Sequence, residues 1–244
     1  MRGRFMASRA SGVKKLWSCL AACIVVLGAH FAAIAQTAPS SEEIANYRGL
    51  HAAVFRGDVK TVLRLVQVRS ASINARDPHG RTPLMVAGYK GDIAVATALI
   101  AAGADIDARD SQAYDLMTIA AVANDVPMLK LAIASGGNAG QITSPYEGTA
   151  LIAAAHLGHV EVVRTLIAAK APLDHINNLR WTALIEAIVL GDGGKNHVAC
   201  LKALVDAGAD VNIADGDGVS PLSLARSRGY SEMVKILENA GARP

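Results

Sequence analysis

The chain has 244 residues, with 24 Lys and Arg against 21 Asp and Glu for a formal charge of +3; 52% of it is hydrophobic, 4% aromatic, and 46 residues are alanine. Such a length can bury a sizeable core, the apolar fraction excludes a disordered chain, and three cysteines exclude a disulfide-stapled mini-domain. The alanine excess points to helices packed closely through small residues, and the positive charge would suit nucleic acid only if it were spread along the chain.

It is not spread. Arg2, Arg4, Arg9, Lys14 and Lys15 all precede the first acid, Glu42, and an apolar run from Leu16 to Ala35 follows them. A basic segment, an apolar stretch and the small-residue triplet Ala33-Ile34-Ala35 before Gln36 predict a secretory signal over 1–35, cleaved between Ala35 and Gln36. Twenty apolar residues could instead span a bilayer, but this run contains Gly28 and His30 and ends in a cleavage-like triplet. Leu20-Ala21-Ala22-Cys23 resembles a lipid-attachment site, yet only seven apolar residues precede Cys23 and twelve follow it. Cleavage would remove five bases and no acid, leaving 209 residues with 19 bases against 21 acids, a charge of −2. Nucleic acid is therefore not an expected partner, nor is a membrane once the signal has gone. Cys19 and Cys23 would leave too, so Cys200 would have no partner for an internal disulfide. Residues 36–41 read as a linker.

The remainder repeats itself, which decides the fold class. Arg81-Thr82-Pro83-Leu84-Met85 opens one block, and Gly148-Thr149-Ala150-Leu151, Trp181-Thr182-Ala183-Leu184 and Val219-Ser220-Pro221-Leu222 open others. The steps from Thr82 to Thr149, Thr182 and Ser220 are 67, 33 and 38 residues. A degenerate copy fills the first gap, with Asp115 in the Thr position and Asn124 in a Gly position; an earlier copy carries Leu50-His51-Ala52-Ala53. Six copies are expected, near 42–76, 77–109, 110–143, 144–176, 177–214 and 215–244.

Thr82, Thr149, Thr182 and Ser220 are placed as helix N-caps, with Pro83 and Pro221 at the first helical position. Leu84/Ala87, Leu151/Ala154, Leu184/Ala187 and Leu222/Ala225 recur three apart on one helix face. Gly91, Gly158, Gly191 and Gly229 are expected to end these helices in the left-handed conformation. A second helix follows each, and Gly103 and Gly208 release the chain into an extended finger. The last copy, with Arg226, Arg228, Glu232, Lys235 and Glu238, has the polar character of a cap, and the first lacks the Thr-Pro start.

These residues resemble the ankyrin repeat. Asp77-Pro78-His79-Gly80-Arg81-Thr82-Pro83-Leu84 and Ala207-Gly208-Ala209-Asp210-Val211-Asn212 follow its pattern almost letter for letter. The resemblance implies an all-α solenoid of helix-turn-helix units with extended loop or β-hairpin fingers. It also implies non-catalytic protein binding through a concave groove made by finger tips and first helices. The degenerate Thr-Ala-Leu-Ile repeats and the signal type are similar to those of bacterial exported ankyrin proteins, so a monomeric scaffold in the periplasm is expected. A membrane-tethered scaffold, or an accessory factor for an exported enzyme, are the alternatives.

No constellation carries catalysis, and neither cofactor nor metal is expected. His156, His159 and Glu161 lack the H-E-x-x-H spacing of a zinc helix, because Gly158 intervenes. A calcium loop started at Asp215 would need glutamate where Arg226 stands. Gly191-Asp192-Gly193-Gly194-Lys195 lacks phosphate-loop spacing and reads as a five-residue insertion. Cys200 aligns with Val162, an apolar position, as a buried small hydrophobe. Six of the seven aromatics beyond residue 35 fall at or near variable positions, and aromatics and Arg dominate binding hot spots. The expected partner-binding residues are Phe55, Arg56, His79, Arg81, Tyr89, Lys90, Tyr114, Tyr146, His156, Trp181 and Arg228.

Overall fold

The computed structural model describes residues 38–67 and 72–244. The expected export signal and the Ala35–Gln36 junction lie outside the described residues. Among those described there are thirteen helices and no strand. Helix α1 (Ser41–Asn46) precedes six pairs: α2 (Gly49–Arg56) with α3 (Val59–Gln67), α4 (Pro83–Lys90) with α5 (Ile93–Ala101), and α6 (Leu116–Val122) with α7 (Val126–Ala134). Then come α8 (Ala150–Leu157) with α9 (Val160–Ala168), α10 (Ala183–Val189) with α11 (Lys195–Asp206), and α12 (Pro221–Ser227) with α13 (Ser231–Asn239).

Short helices need their ends satisfied, and the side chains do this copy by copy. Thr82, Thr149, Thr182 and Ser220 accept hydrogen bonds from the backbone N–H of Met85, Ile152, Ile185 and Ser223. In the degenerate copy Asp115 does the same for Thr118, at 2.7 Å. Asn124 takes the left-handed turn of the missing glycine with φ +55°, a conformation Asn tolerates better than most residues. Gly91 and Gly158 end α4 and α8 at φ +64° and +69°. Gly191 does not: α10 stops at Val189 with Leu190 as a right-handed cap. A side chain at Gly191 would put its Cβ 2.1 Å from the Ala187 carbonyl oxygen. Its glycine serves close approach, not handedness. After it the insertion folds on Asp192, whose Oδ1 accepts from Gly194 N–H at 2.8 Å, and the following helix α11 runs to twelve residues where the other outer helices have nine.

The inner helices α2, α4, α6, α8, α10 and α12 each pack on the next, and the outer helices do likewise. One cluster holds most of the core, and its inner-helix members come from matching positions: Leu84, Met117, Leu151, Leu184 and Leu222, with Ala87, Ala120, Ala154, Ala187 and Ala225. The small alanines let helix axes approach closely, which accounts for their number. Cys200 is fully buried on α11, and burial pushes its thiol up to about 11. Between the helix pairs each finger turns on one side-chain oxygen, that of Asp77, Asp110, Asn177 or Asp215, or in one finger the Ser144 hydroxyl. Asp77 Oδ1 accepts from His79 and Arg81 N–H, each at 2.9 Å, and Asn177 Oδ1 accepts from Leu179 and Trp181 N–H at 3.0 Å. Fingers are also tied sideways, Ser111 N–H to the His79 carbonyl and Asn178 N–H to that of Tyr146.

The start departs from the expected pattern in one respect and follows it in another. Ser40 caps α1 through a reciprocal bond with Glu43, so a helix begins inside the segment read as a linker. Arg48 precedes α2 without a side-chain cap, in keeping with the missing Thr-Pro start.

Because each inner helix is anchored by one leucine between neighbours, Leu151→Ala should lower stability by about 2–5 kcal/mol. Leu63→Ala, on an outer helix and 40% exposed, should stay within about 0.5 kcal/mol. Urea unfolding of the two variants checks the contrast.

Candidate functional site

Stacked copies turn equivalent positions into rows. One row along the inner helices holds Tyr89, Val122, His156, Val189 and Ser227; the next holds Lys90, Ala123, Leu157, Leu190 and Arg228. A third row, at the finger bases, holds Arg81, Tyr114, Gly148, Trp181 and Val219. The expected binding residues fall on these rows or beside them, but their environments differ sharply.

Arg81 is not available to a partner, contrary to expectation. Its side chain is 1% exposed: Nε donates to Asp77 Oδ2 at 2.6 Å and Nη2 to Glu43 Oε1 at 2.8 Å. Tyr47 donates its hydroxyl to the same Asp77 oxygen at 2.8 Å, and His79 contacts the same Glu43 oxygen. Glu43, on α1, thus engages both His79 and Arg81, so the chain's own first helix occupies the beginning of the finger row. Burial alone would raise the Asp77 pKa, but the bonds from Tyr47 and Arg81 outweigh it and hold the carboxylate below its usual range. Tyr114 is also withdrawn, at 6% exposed, and burial raises its hydroxyl pKa.

Phe55 and Lys90 meet each other: the Lys90 ammonium lies 4.9 Å from the Phe55 ring centroid and donates to the Phe55 carbonyl. Arg56 is exposed at the end of α2. Tyr89 is half-buried against Met85, Ala108 and Ile119, and its buried hydroxyl has no hydrogen-bond partner. Tyr146 and Trp181 are half-buried on adjacent fingers, and Arg228 is half-buried with Nη2 3.4 Å from the Val189 carbonyl oxygen. His156 and His159 point apart: His159 Nδ1 bonds the Ala121 carbonyl at 2.9 Å, while His156 Nδ1 stands 3.5 Å from Glu186 Oε2. Among the described residues no three metal-ligating side chains converge.

Several surface residues escape a search for aromatics and Arg. Ile142, Leu157, Leu179, Leu190 and Val219 are between 36% and 49% exposed, and all five sit on the fingers or at the ends of inner helices in the third to sixth copies. An apolar residue at the finger position that is His79, Gln112, Tyr146 and Asp217 in other copies is the signal that could have found Leu179. Glu186 was also missed; it is 4% exposed and occupies a position that is Val86, Ile119, Ala153 and Leu224 in other copies.

A stack of helix pairs with aligned surface rows defines a helical repeat protein. Residues 26–110 and 116–215 match the family description "Ankyrin repeats (3 copies)", and 193–238 match "Ankyrin repeats (many copies)". The chain belongs to the ankyrin-repeat family. It is 34% identical over 185 residues to the ankyrin repeat protein YahD of Escherichia coli (strain K12), covering 75% of this chain and 90% of that protein. An ankyrin repeat domain from Acinetobacter baumannii AYE is 43% identical with a TM-score of 0.75, covering 80% of this chain and 98% of that one. One chain of the complex between the Bd0816 predatory endopeptidase of Bdellovibrio bacteriovorus and immunity protein Bd3460 shares the fold, with a TM-score of 0.67 at 23% identity, covering 79% and 98%.

Removing Arg81 would strand the buried Asp77 carboxylate, so Arg81→Ala should cost about 3–5 kcal/mol. Glu43→Gln, which breaks a half-buried contact, should cost about 1 kcal/mol. Asp77 has a depressed folded pKa, so its contribution is present above the unfolded value and lost as the pH falls through the folded one. Acid unfolding of the wild type against Asp77→Asn should show that loss in the wild type alone.

Proposed function

We propose that this chain is an exported, non-catalytic binding protein that holds a protein partner on the face of its third to sixth copies. Ankyrin repeats generally serve as protein-interaction modules. One observation carries the reading to a particular face. Of the seven exposed large apolar side chains among the described residues, Ile142, Leu157, Leu179, Leu190 and Val219 share it, and only Leu63 and Ile93 lie on outer helices. Exposed apolar side chains gathered on one part of a protein cost solubility and mark interaction surfaces; the same copies carry the half-buried Tyr146, His156 and Trp181, which supply ring area for anchoring contacts. The first two copies are less suited, since α1 already engages His79 and Arg81. The protein acts as a monomer that presents this face, in the periplasm of a bacterium.

The export half rests on the five leading bases, the apolar run and the Ala33-Ile34-Ala35 triplet. A mass for the purified protein that starts at Gln36 is the expected result. Retention of residues 1–35, or a lipid on Cys23, would instead favour a membrane-tethered scaffold. An accessory factor for an exported enzyme is the second reading, favoured by the occurrence of this fold in a complex of an endopeptidase with an immunity protein. An enzyme that co-purifies, and whose activity falls when the gene is deleted, would select it.

For the binding face, Leu157→Ser with Trp181→Ala should abolish capture of a partner that the wild type retains, with the variant still folded by circular dichroism. Leu63→Ser with Ile93→Ser, on the outer helices, should leave capture intact. Equal capture by all three proteins would sink the assignment of the face.

A further inference from the structure

Three departures from the repeat meet at one point. Glu186 stands on inner helix α10 where other copies carry Val86, Ile119, Ala153 and Leu224. His156, on the neighbouring inner helix α8, replaces Tyr89, Val122, Val189 and Ser227. Asn177 takes the finger position that is Asp77, Asp110 and Asp215 elsewhere. Its Oδ1 keeps the finger's two backbone bonds, and its Nδ2, which an aspartate would lack, donates to Glu186 Oε1 at 3.0 Å. An aspartate there would set a second carboxylate against the first. The Glu186 side chain is 5% exposed, and its other oxygen, Oε2, is buried without a hydrogen-bond partner, 3.5 Å from Nδ1 of the partly exposed His156. The contrast with buried Asp115 is instructive. There both oxygens are engaged, Oδ1 by Thr118 and Oδ2 by Gln141. An orphan carboxylate oxygen in a core costs stability, so three matched substitutions that create one point to a use.

We propose that Asn177, Glu186 and His156 form a proton-operated joint between the fourth and fifth copies, with Glu186 as the group that titrates and His156 as the group that responds on the surface row. With a proton on Oε2, Glu186 is neutral and turns a donor towards His156 Nδ1. Without it, a buried negative charge lies beneath the row. A neutral His156 must then present Nδ1–H to it, and with the pair negative overall a partner's Lys or Arg side chain is favoured over an acidic one.

The surroundings set the working range. Burial pushes Glu186 up to about 7, with the Asn177 bond opposing it only in part. Burial, and then the nearby His197, hold His156 below the usual histidine range. On the packed elements, α9 carries the exposed Arg164–Glu161 pair, and α11 carries Lys195 and the exposed Lys202–Asp206 pair. From α11, His197 bonds the His156 carbonyl through Nε2 and Asp192 through Nδ1. From α12 and its end, Arg226 is paired with Glu238, and Arg228 rests on the Val189 carbonyl. Neither arginine is bonded to Glu186. Because the folded pKa of Glu186 is raised, its favourable contribution is complete at acid pH and is lost as the pH rises through about 7. The folding constant should drop up to about tenfold per pH unit within that window and level off above it. His156 acts in the opposite direction, which is why the comparison must isolate Glu186.

The partner consequence rests on the binding face proposed above; the joint does not, and its test needs no partner. Thermal unfolding across the range from pH 5 to about pH 8 should show the wild type losing stability relative to Glu186→Gln as the pH rises. Parallel curves would overturn the joint. Should Glu186→Gln fail to fold, carboxyl carbon NMR of the wild type decides: a Glu186 midpoint near 7 supports the joint, and one in the ordinary carboxylate range overturns it. The His156 ring signals should shift at that same midpoint; ring signals that ignore the Glu186 titration would also overturn it. Asn177→Asp should raise the midpoint further, and an unmoved midpoint would count against the trio.

Discussion

No helix pair in this protein can bury its apolar face alone. The inner helices have seven or eight residues, too few to be stable in water by themselves, and their buried leucines pack in one cluster with residues of neighbouring copies. Stacking against a neighbour is therefore the condition on which every other feature depends. It explains the alanines, which let the axes close up. It also explains why the caps vary so little in role while varying in residue: Thr, Ser and Asp all offer an oxygen to the same backbone N–H. The energy lies in a chain of similar interfaces, so a weak interface in the middle can loosen the stack without unfolding the ends.

Polar groups are the second constraint, because the fingers and helix ends place backbone N–H groups where water is scarce. Asp77, Asp110, Asn177 and Asp215 answer this with a single side-chain oxygen serving two N–H groups. Arg81 is the extreme case. A buried guanidinium is tolerable only because Asp77 and Glu43 both face it, and that need fastens α1 onto the second finger. The same logic that fills the first finger row leaves the later one open. Around Trp181 there is no such internal tie, and Leu179 and Leu190 remain at the surface.

The solenoid was legible in the residues, because the apolar-alanine spacing of the inner helices recurs in six copies and the side-chain cap in five of them. Even the degenerate copy could be placed, since Asp115 and Asn124 are chemically able to do what Thr and Gly do elsewhere. The surface was less legible. Arg81 and Tyr114 look like partner-facing residues from their place in the repeat, and both are buried, Arg81 in an ion pair with Glu43, 38 residues earlier. Glu186 gives no periodic signal at all; a single glutamate in an apolar column reads as an error in the pattern until its neighbours are known.

What the chain's own order of residues determined is the unit: two short helices, a finger, and the need to be stacked, all consequences of hydrogen bonding and apolar spacing within some thirty residues. Tertiary structure decided which polar residues face one another across copies. Glu43 reaches Arg81, Asn177 reaches Glu186, and Glu186 meets His156. Such contacts depend on the register in which one copy lies on the next, and the environment of a charge is set by what encloses it rather than by its place along the chain. The initial charge of +3 illustrates the same division. Its location at the first fifteen residues is plain in the sequence, whereas the charges that shape the surface, buried, paired or left with one free oxygen, emerge only when the copies are stacked.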